Sequence, residues 1–361
     1  MPQKTLIRAR AAELRARFEA AGATVAETSV LQPAEVLLDL YGEDIRARAY
    51  VTSDSLLGEQ MLRPDFTVPV VQMHMDHGAE PARYTYSGEV FRRQEEDTDR
   101  ANEYTQVGYE VFDRDNPAAA DAEVFSLVQG ALAHLPLRAA TGDIGLLMAA
   151  VRGLETTERR KAALLRHVWR PRRFRALLDR YSARVAVPPS RAALLAQANP
   201  LQSGVPFIGL RTPAEVSDRI EALREDVNSD PISAGQVDLL DALLNVRETL
   251  PFALERLRDI AVDMPAITEA VFKLRDRIEA LDKRGISVDT LEFEASYGRA
   301  NLEYYDGFVF GFYADGFANL PPVATGGRYD ALTRVLGHGS EIPAVGAVIR
   351  PEVVMSLEAQ L

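Results

Sequence analysis

Residues suited to binding a charged small molecule lie in two segments of the first third of the chain. Asp65 and Thr67 place a carboxylate and a hydroxyl at the start of a predicted helix, where they either cap that helix or hold an ammonium group. Arg92 ends a predicted strand and presents a planar fork that suits a carboxylate, a phosphate or a neighbouring acidic side chain. Gln106 and Glu110 are four residues apart on the next strand, so both project from the same face. Taken singly, each of these residues has an ordinary structural role.

Further polar and aromatic groups lie near the end of the chain. Tyr304 and Tyr305 precede a strand of alternating aromatic residues, a position that is more typical of a core or a rim than of a ligand site. The segment Gly326–Asp330 predicts a glycine turn without the spacing of a phosphate-binding loop. The five histidines lack metal-ligand spacing, and the absence of cysteine excludes disulfides, thiol nucleophiles and thiolate metal sites. We therefore expect no metal centre.

The composition limits the class of protein. A chain of 361 residues, 47% of them hydrophobic, is expected to form about two globular domains with ample core. No apolar run approaches the ~20 residues that cross a bilayer, and the N-terminal segment lacks the apolar centre of a secretory signal, so we expect a cytoplasmic protein. The net charge of −12 disfavours a non-specific polyanion binder. A basic segment, Arg166–Arg175, is the exception, and we interpret it as a solvated face or a subunit contact.

The predicted elements place strands at both ends of the chain and helices between them. They are a helix over 4–21 closed by Gly22, strands at 47–53, 58–63, 82–92 and 103–113, a helix from Asp65, mostly helices over 118–285, strands at 288–296, 307–312 and 344–349, and a helix from Pro351. This pattern is typical of an α+β core formed by both termini. We divide the chain into a first core part at 1–165, a helical insertion at 166–285 and a last core part at 286–361.

In their order along the chain, these motifs resemble those of the histidyl-tRNA synthetases, a family of class II aminoacyl-tRNA synthetases. The matching segments are Leu62–Thr67, Phe91-Arg92, Gln106 to Glu110, Leu302–Tyr305, Gly326–Asp330 and Pro343–Gly346. The resemblance covers nearly the whole chain and is loosest between 155 and 285. It implies the class II fold, which is an antiparallel sheet flanked by helices, in a two-fold dimer with a helical insertion. The family's anticodon-binding domain finds no match, so we expect no tRNA binding.

The resemblance also implies a site for histidine. The matching positions are Asp65, Thr67 and Gln106 for the ammonium group, Arg92 for the carboxylate, and Glu110 and Tyr305, with Tyr304 beside them, for the imidazole. At position 65 the family has glutamate, so the aspartate shortens the reach by one methylene. A carboxylate opposite a tyrosine hydroxyl satisfies both ring nitrogens of an imidazole, which selects histidine over an apolar isostere.

Positions that hold ATP in the synthetases depart from the family pattern. Gln94 replaces a glutamate, and Asn102 replaces the second arginine of a loop that keeps Arg100. Ala300 replaces an arginine, with Arg299 displaced by one position, and Asn301 replaces a glycine. Val353 replaces the last arginine of the final motif. Activation of an amino acid needs cations directed at the phosphates as the bond breaks. Because several of these cations are missing, we expect no catalytic residues and no cofactor.

A retained amino-acid site beside a degraded ATP site resembles the regulatory subunits of ATP phosphoribosyltransferase, a family of synthetase paralogues. That resemblance implies a short-form catalytic subunit as the partner, a role at the first step of L-histidine biosynthesis, and feedback inhibition with L-histidine as the regulatory ligand. Two alternatives stay open. A diverged histidine-activating enzyme without an anticodon domain is compatible with the retained Arg92 and Arg328, whereas a tRNA-binding control module is disfavoured by the acidic charge.

Overall fold

A nine-stranded sheet forms the centre of the computed structural model. The structure describes residues 4–35, 48–94, 101–201, 208–299, 304–317 and 319–360. The strands are β1 (Thr24–Val25), β2 (Leu31–Pro33), β3 (Val51–Asp54), β4 (Gly58–Leu62), β5 (Ala82–Phe91), β6 (Glu103–Phe112), β7 (Leu137–Asp143), β8 (Arg247–Thr249), β9 (Glu292–Glu294), β10 (Phe308–Ala314), β11 (Ala324–Arg328) and β12 (Ala344–Ile349). The large sheet has the order β1-β5-β6-β12-β11-β10-β7-β9-β8, and a small sheet has the order β2-β4-β3. Pairing is antiparallel except between β1 and β5 and between β7 and β9.

Helices pack on the sheet and fill the segment between its strands. They are α1 (Lys4–Ala20), α2 (Thr67–His77), α3 (Pro117–Ala131), α4 (Ile144–Arg152), α5 (Glu158–Arg166), α6 (Pro171–Tyr181), α7 (Pro189–Leu195), α8 (Pro213–Asn228), α9 (Ala234–Leu244), α10 (Leu250–Asp263), α11 (Thr268–Lys283), α12 (Asp330–Leu336) and α13 (Pro351–Glu358). Helix α3 lies across β6, β11 and β12 and packs against α11, while α1 lies on β5 and β6. In the part of the chain that the structure describes, no helix has the length and apolarity needed to cross a bilayer.

Alternation along β6 decides which side chains enter the apolar core. The Tyr109 ring lies 5.2 Å from that of Phe18 in α1, and its hydroxyl donates to Glu123 of α3 at 2.6 Å. Glu110, the next residue, therefore points to the opposite face of the sheet. The helix-covered face is the core of the α+β fold, and the other face carries the polar residues singled out above.

Most elements predicted from periodicity are confirmed. The N-terminal helix, the two hairpin strands, the strand at 344–349 and the helix from Pro351 are present. Gly22 follows α1 with φ +97°, a backbone conformation that favours glycine and ends the helix there. The strand predicted at 47–53 is β3, although residue 47 lies outside the described residues, and the helix predicted from Asp65 begins at Thr67.

The turn predicted at Gly326 and Gly327 is wrong, because both residues lie inside strand β11. A Cβ on Gly326 would come 2.6 Å from the carbonyl oxygen of Gly346, and one on Gly327 would come 2.8 Å from that of Phe308. Glycine is therefore needed here for close packing in the middle of the sheet and not for a turn.

The helical prediction for 118–285 misses strand β7. Its sequence, Leu137–Asp143, contains a single β-branched residue and has little local strand preference. It becomes a strand because it pairs with β10 along its whole length, from Phe308 opposite Asp143 to Ala314 opposite Leu137. The strand predicted at 288–296 is shorter than expected, since 288–290 form a 3₁₀ turn. The division at 166–285 stays a prediction, and this segment contributes β8 to the large sheet.

Candidate functional site

Glu110 lies fully buried on the polar face of the sheet. Three hydroxyl groups donate to its carboxylate: Tyr86 Oη to Oε1 at 2.7 Å, Thr67 Oγ1 to Oε1 at 3.2 Å and Tyr329 Oη to Oε2 at 2.5 Å. Within the described residues no cationic side chain forms an ion pair with it. Burial raises the pKa of Glu110 to about 7, although the three hydroxyl groups act in the opposite direction. A carboxylate held in this way is typical of a functional site.

Gly346 provides the space that Glu110 occupies. The two residues are partners in the register of β6 and β12, near the middle of the sheet. A Cβ on Gly346 would lie 1.4 Å from Glu110 Oε2, far inside any contact distance. Position 346 therefore accepts only glycine while the Glu110 carboxylate keeps its place.

Asp65 and Arg92 form an ion pair at the edge of the site. Arg92 Nη2 donates to Asp65 Oδ2 at 3.2 Å, and Arg92 Nε donates to the carbonyl oxygen of Pro64 at 2.7 Å. Asp65 is 2% exposed, and its other oxygen accepts from the backbone N–H of Val68 at 3.4 Å. Because that contact is long, helix capping is a minor role for Asp65, and holding Arg92 is the stronger one.

Gln106 carries a buried polar atom that has no hydrogen-bond partner among the described residues. Its side chain is 2% exposed, and its Oε1 accepts no hydrogen bond from any described residue. Gln106 pairs with Gly88 of β5 and lies on the same face of β6 as Glu110. Since an unsatisfied buried acceptor is costly, this atom is well placed to accept a hydrogen bond from a bound ligand.

Tyr304 and Tyr305 close the site from the segment before β10. Tyr304 Oη donates to Thr67 Oγ1 at 3.4 Å, and the Tyr304 ring meets that of Tyr305 edge-on at 4.9 Å. Burial, followed by the nearby charge of Glu110, raises the pKa of Tyr305, so its hydroxyl keeps its proton. The indole Nε1 of Trp169 donates to the carbonyl oxygen of Tyr305 at 3.2 Å and ties this wall to the turn between α5 and α6.

The structure places the residues predicted to bind histidine on one face of the sheet, and it adds two tyrosines that the sequence reasoning missed. Tyr86 stacks on Phe66 with ring centroids 4.3 Å apart and lies two residues before Gly88 on β5. Alternation along β5 was the available signal, since it puts Tyr86 and Gly88 on the same face. Tyr329 lay in the segment interpreted as a turn, so its approach to Glu110 was not apparent.

The described residues at the altered ATP positions are bonded to, or buried among, other parts of the protein. The backbone N–H of Gln94 donates to Asn102 Oδ1 at 2.8 Å, which closes the end of the hairpin. Arg299 is buried, with Nε donating to the carbonyl oxygen of Val168 at 2.9 Å and its guanidinium 4.9 Å from the Phe174 ring. Val353 is buried in α13. Arg100, Ala300 and Asn301 lie outside the described residues.

Arg328 was counted from the sequence as a retained site cation, and this interpretation is wrong. Its Nη2 and Nε donate to Asp121 Oδ1 of α3 at 2.6 and 3.0 Å, on the helix-covered face of the sheet. Its Nη1 also donates to Asp330 at 3.0 Å. The neighbouring Gly327 faces Tyr305 on the other side, as alternation along β11 requires. One of the two arguments for a histidine-activating enzyme is thereby removed.

The Glu110 carboxyl should make stability depend on pH. Its ordinary pKa is 4.5 and its folded-state pKa is about 7, so folding favours its protonated form. Its contribution to stability is full below about pH 4.5 and is lost as the pH rises through 7. Between pH 5 and pH 8, wild type should lose on the order of 2 kcal/mol of unfolding free energy relative to Glu110→Gln.

Urea unfolding of both chains at the two pH values measures this difference. Glu103→Gln serves as the control, because Glu103 is an exposed residue of the same strand. If the difference in unfolding free energy between wild type and Glu110→Gln is the same at both pH values, Glu110 keeps an ordinary pKa in the folded chain.

Solved structures confirm the class II synthetase-like fold. An ATP phosphoribosyltransferase regulatory subunit/histidyl-tRNA synthetase from Bacillus halodurans superposes with a TM-score of 0.69 at 21% identity, covering 99% of this chain and 80% of that one. A histidine–tRNA ligase subunit from Alicyclobacillus acidocaldarius gives a TM-score of 0.61 at 24% identity, covering 100% of this chain and 96% of that one. At these identities the likeness establishes the fold alone.

Sequence comparison establishes the family. The histidyl-tRNA synthetase family model matches residues 2–206 and 216–354. An ATP phosphoribosyltransferase regulatory subunit of Brucella anthropi is 32% identical over 356 residues, which is 92% of this chain and 93% of the relative. One from Brucella ovis is 32% identical over 362 residues, with 92% and 93% covered. The chain therefore belongs to the ATP phosphoribosyltransferase regulatory subunits, within the histidyl-tRNA synthetase-like proteins.

Proposed function

We propose that this chain is a non-catalytic, histidine-responsive subunit of an ATP phosphoribosyltransferase and acts at the first step of L-histidine biosynthesis. The name shared by its relatives supports a catalytic partner subunit, which we take to be the short form. In the proposed complex, two copies of this chain form a class II-type dimer, and this dimer is the centre of a cytoplasmic hetero-oligomer. The regulatory ligand is L-histidine.

The observation that carries the proposal is the pairing of two unusual buried groups on one strand face. Among the described residues, Glu110 is a buried carboxylate without a cation and Gln106 Oε1 is a buried acceptor without a donor. A histidine side chain supplies a ring N–H for Glu110, and its ammonium group supplies a donor for Gln106. The ring N–H therefore meets a buried carboxylate whose charge no described cation compensates, and the ammonium group meets an acceptor to which no described residue donates.

The remaining groups fit the same ligand. Asp65 and Thr67 add oxygens beside the ammonium group, and Arg92, held in place by Asp65 and by the carbonyl oxygen of Pro64, provides the positive charge for the ligand carboxylate. Tyr305, with its protonated hydroxyl, faces the imidazole from the side opposite Glu110, and Tyr304 supports it. In this arrangement each heteroatom of histidine has a partner on the protein.

Joint purification with a short-form catalytic subunit tests the proposal. The mixture should elute as one complex, and its transferase activity should fall when L-histidine is added. Calorimetric titration of this chain should show L-histidine binding and much weaker binding of histidinol, which lacks the carboxylate that meets Arg92. Failure to form a complex, or activity indifferent to histidine, would refute the proposal.

The alternative function, ATP-dependent activation of histidine, predicts a different result. Arg328 is engaged with Asp121 and Asp330, and position 353 is a buried valine, so these two positions offer no cation to a phosphate. The isolated chain should therefore show no histidine-dependent exchange between ATP and pyrophosphate above a buffer control. A genuine histidyl-tRNA synthetase serves as the positive control, and measurable exchange would favour the enzyme.

A further inference from the structure

A basic groove lies between α6 and α7, outside the site described above. It has a volume of ≈ 400 Å³, and its charged or titratable lining residues are His167, Arg170, Arg173, Arg180 and Arg191. Among the described residues that line it there is no aspartate or glutamate. The sequence segment interpreted as a solvated face therefore forms the wall of a concave feature.

Helix geometry explains why the cations converge. Arg173, Leu177 and Arg180 recur at spacings of three and four residues along α6, so they share one face of the helix. Arg191 approaches from α7, on the other side of the connection at 182–188. Two elements thus direct guanidinium groups into the same space.

Part of the positive charge in the basic groove is not paired with any carboxylate among the described residues. Arg180 forms an ion pair with Asp226 at 3.2 Å, but the same carboxylate also binds Arg160 at 2.7 Å. The side chains of Arg173 and Arg191 form neither an ion pair nor a hydrogen bond with any residue that the structure describes. Two arginines without an ion-pair partner among the described residues, placed in a concavity, attract an anion from solution.

The rest of the lining is apolar. Leu177, Val185 and Pro188 provide a hydrophobic wall beside the arginines. The volume lies within the roughly 300–1,000 Å³ range of small-molecule sites, and mixed apolar and cationic lining suits a ligand with both a ring and a charged group. A nucleic acid strand would need a longer basic track than this groove provides.

We infer that the basic groove binds a phosphorylated small molecule of the nucleotide class. Guanidinium forks bind phosphate oxygens in pairs, so Arg173, Arg180 and Arg191 hold the phosphates. The ring portion packs on the wall formed by Leu177, Val185 and Pro188. This site is separate from the proposed histidine site and does not depend on it.

Calorimetric titration of the full chain at low salt with ATP and with inorganic triphosphate tests the inference. ATP should bind saturably at one site and more tightly than triphosphate, because only ATP reaches the apolar wall. The double variant Arg173→Ala/Arg191→Ala should weaken ATP binding by about tenfold or more, since it removes two charge-assisted contacts. Trp169 is the single tryptophan of the chain and lies in the adjoining turn, so its fluorescence gives an independent signal.

The matched control is Arg152→Ala/Arg172→Ala, which removes the same net charge from exposed positions that do not line the groove. Its ATP affinity should stay within about twofold of wild type, because neither arginine lines the groove and exposed charges contribute little. Equal weakening in both double variants, or no saturable ATP binding by wild type, would overturn the inference. Displacement of ATP by a folded RNA whose binding needs Arg173 and Arg191 would also overturn the inference, because the groove would then be an RNA site.

Discussion

Replacing Glu110 with alanine should raise the histidine concentration needed for half inhibition of the complex by about ten- to hundredfold, equivalent to 1–3 kcal/mol of binding free energy. In the proposed histidine site, the substitution leaves an imidazole N–H without its acceptor. It also removes the acceptor shared by Tyr86, Thr67 and Tyr329, so the geometry of the site loosens. The measurement is transferase activity against histidine concentration, with each complex normalised to its own activity without histidine.

Two further variants make this result specific. Tyr305→Phe removes a single hydroxyl from the other side of the imidazole and should shift the curve in the same direction. Glu103→Ala removes an exposed carboxylate of the same strand, paired with Lys4 at the surface, and should leave the curve where it is. If both Glu110→Ala and Tyr305→Phe leave the inhibition curve unmoved, histidine acts at another site.

Replacing Arg277 with methionine should lower the free energy of unfolding by roughly 3–5 kcal/mol. Arg277 is 4% exposed in α11, and it donates to Asp121 of α3 and to Asp143 at the end of β7, each at 2.8 Å. Among the described residues, removing the cation leaves the buried Asp143 without its cationic partner and leaves Asp121 with Arg328 alone. Asp143 also caps α4, the helix that follows β7, by accepting from the backbone N–H of Gly145. The substitution should therefore destabilise the start of α4 as well.

Chemical denaturation of wild type and variant measures this change. Arg275→Met on the same helix is the matched control, since Arg275 is half-exposed and pairs with its neighbour Asp276, and it should change the unfolding free energy by less than about 0.5 kcal/mol. Adding Asp143→Asn to Arg277→Met should recover part of the loss, because one uncompensated charge is removed. Equal stability of the Arg277→Met and Arg275→Met chains would show that this buried cluster does not hold the two helices and the sheet together.

Local pattern determined much of this protein. Alternating Tyr, Val and Phe residues predicted the β5–β6 hairpin, and the order of short motifs identified the family and its candidate ligand residues. These signals suffice because strand alternation is a property of neighbouring residues, and motif identity depends on residue type alone. The same information could not show that Leu137–Asp143 is a strand, since that segment has weak local preference and depends on pairing with β10.

The character of the site was decided only by the tertiary structure. Whether Glu110 meets water, a cation or hydroxyl groups depends on β5, β12, α2 and the residue after β11, which lie far apart in the sequence. Arg328 appeared to be a site cation by its motif, yet the register of β11 directs it to Asp121 on the other face. The amino-acid sequence by itself determined which chemical groups are present and in what order. Long-range strand pairing determined which of them share a face, because a shift of one position along a strand moves a side chain to the opposite side of the sheet.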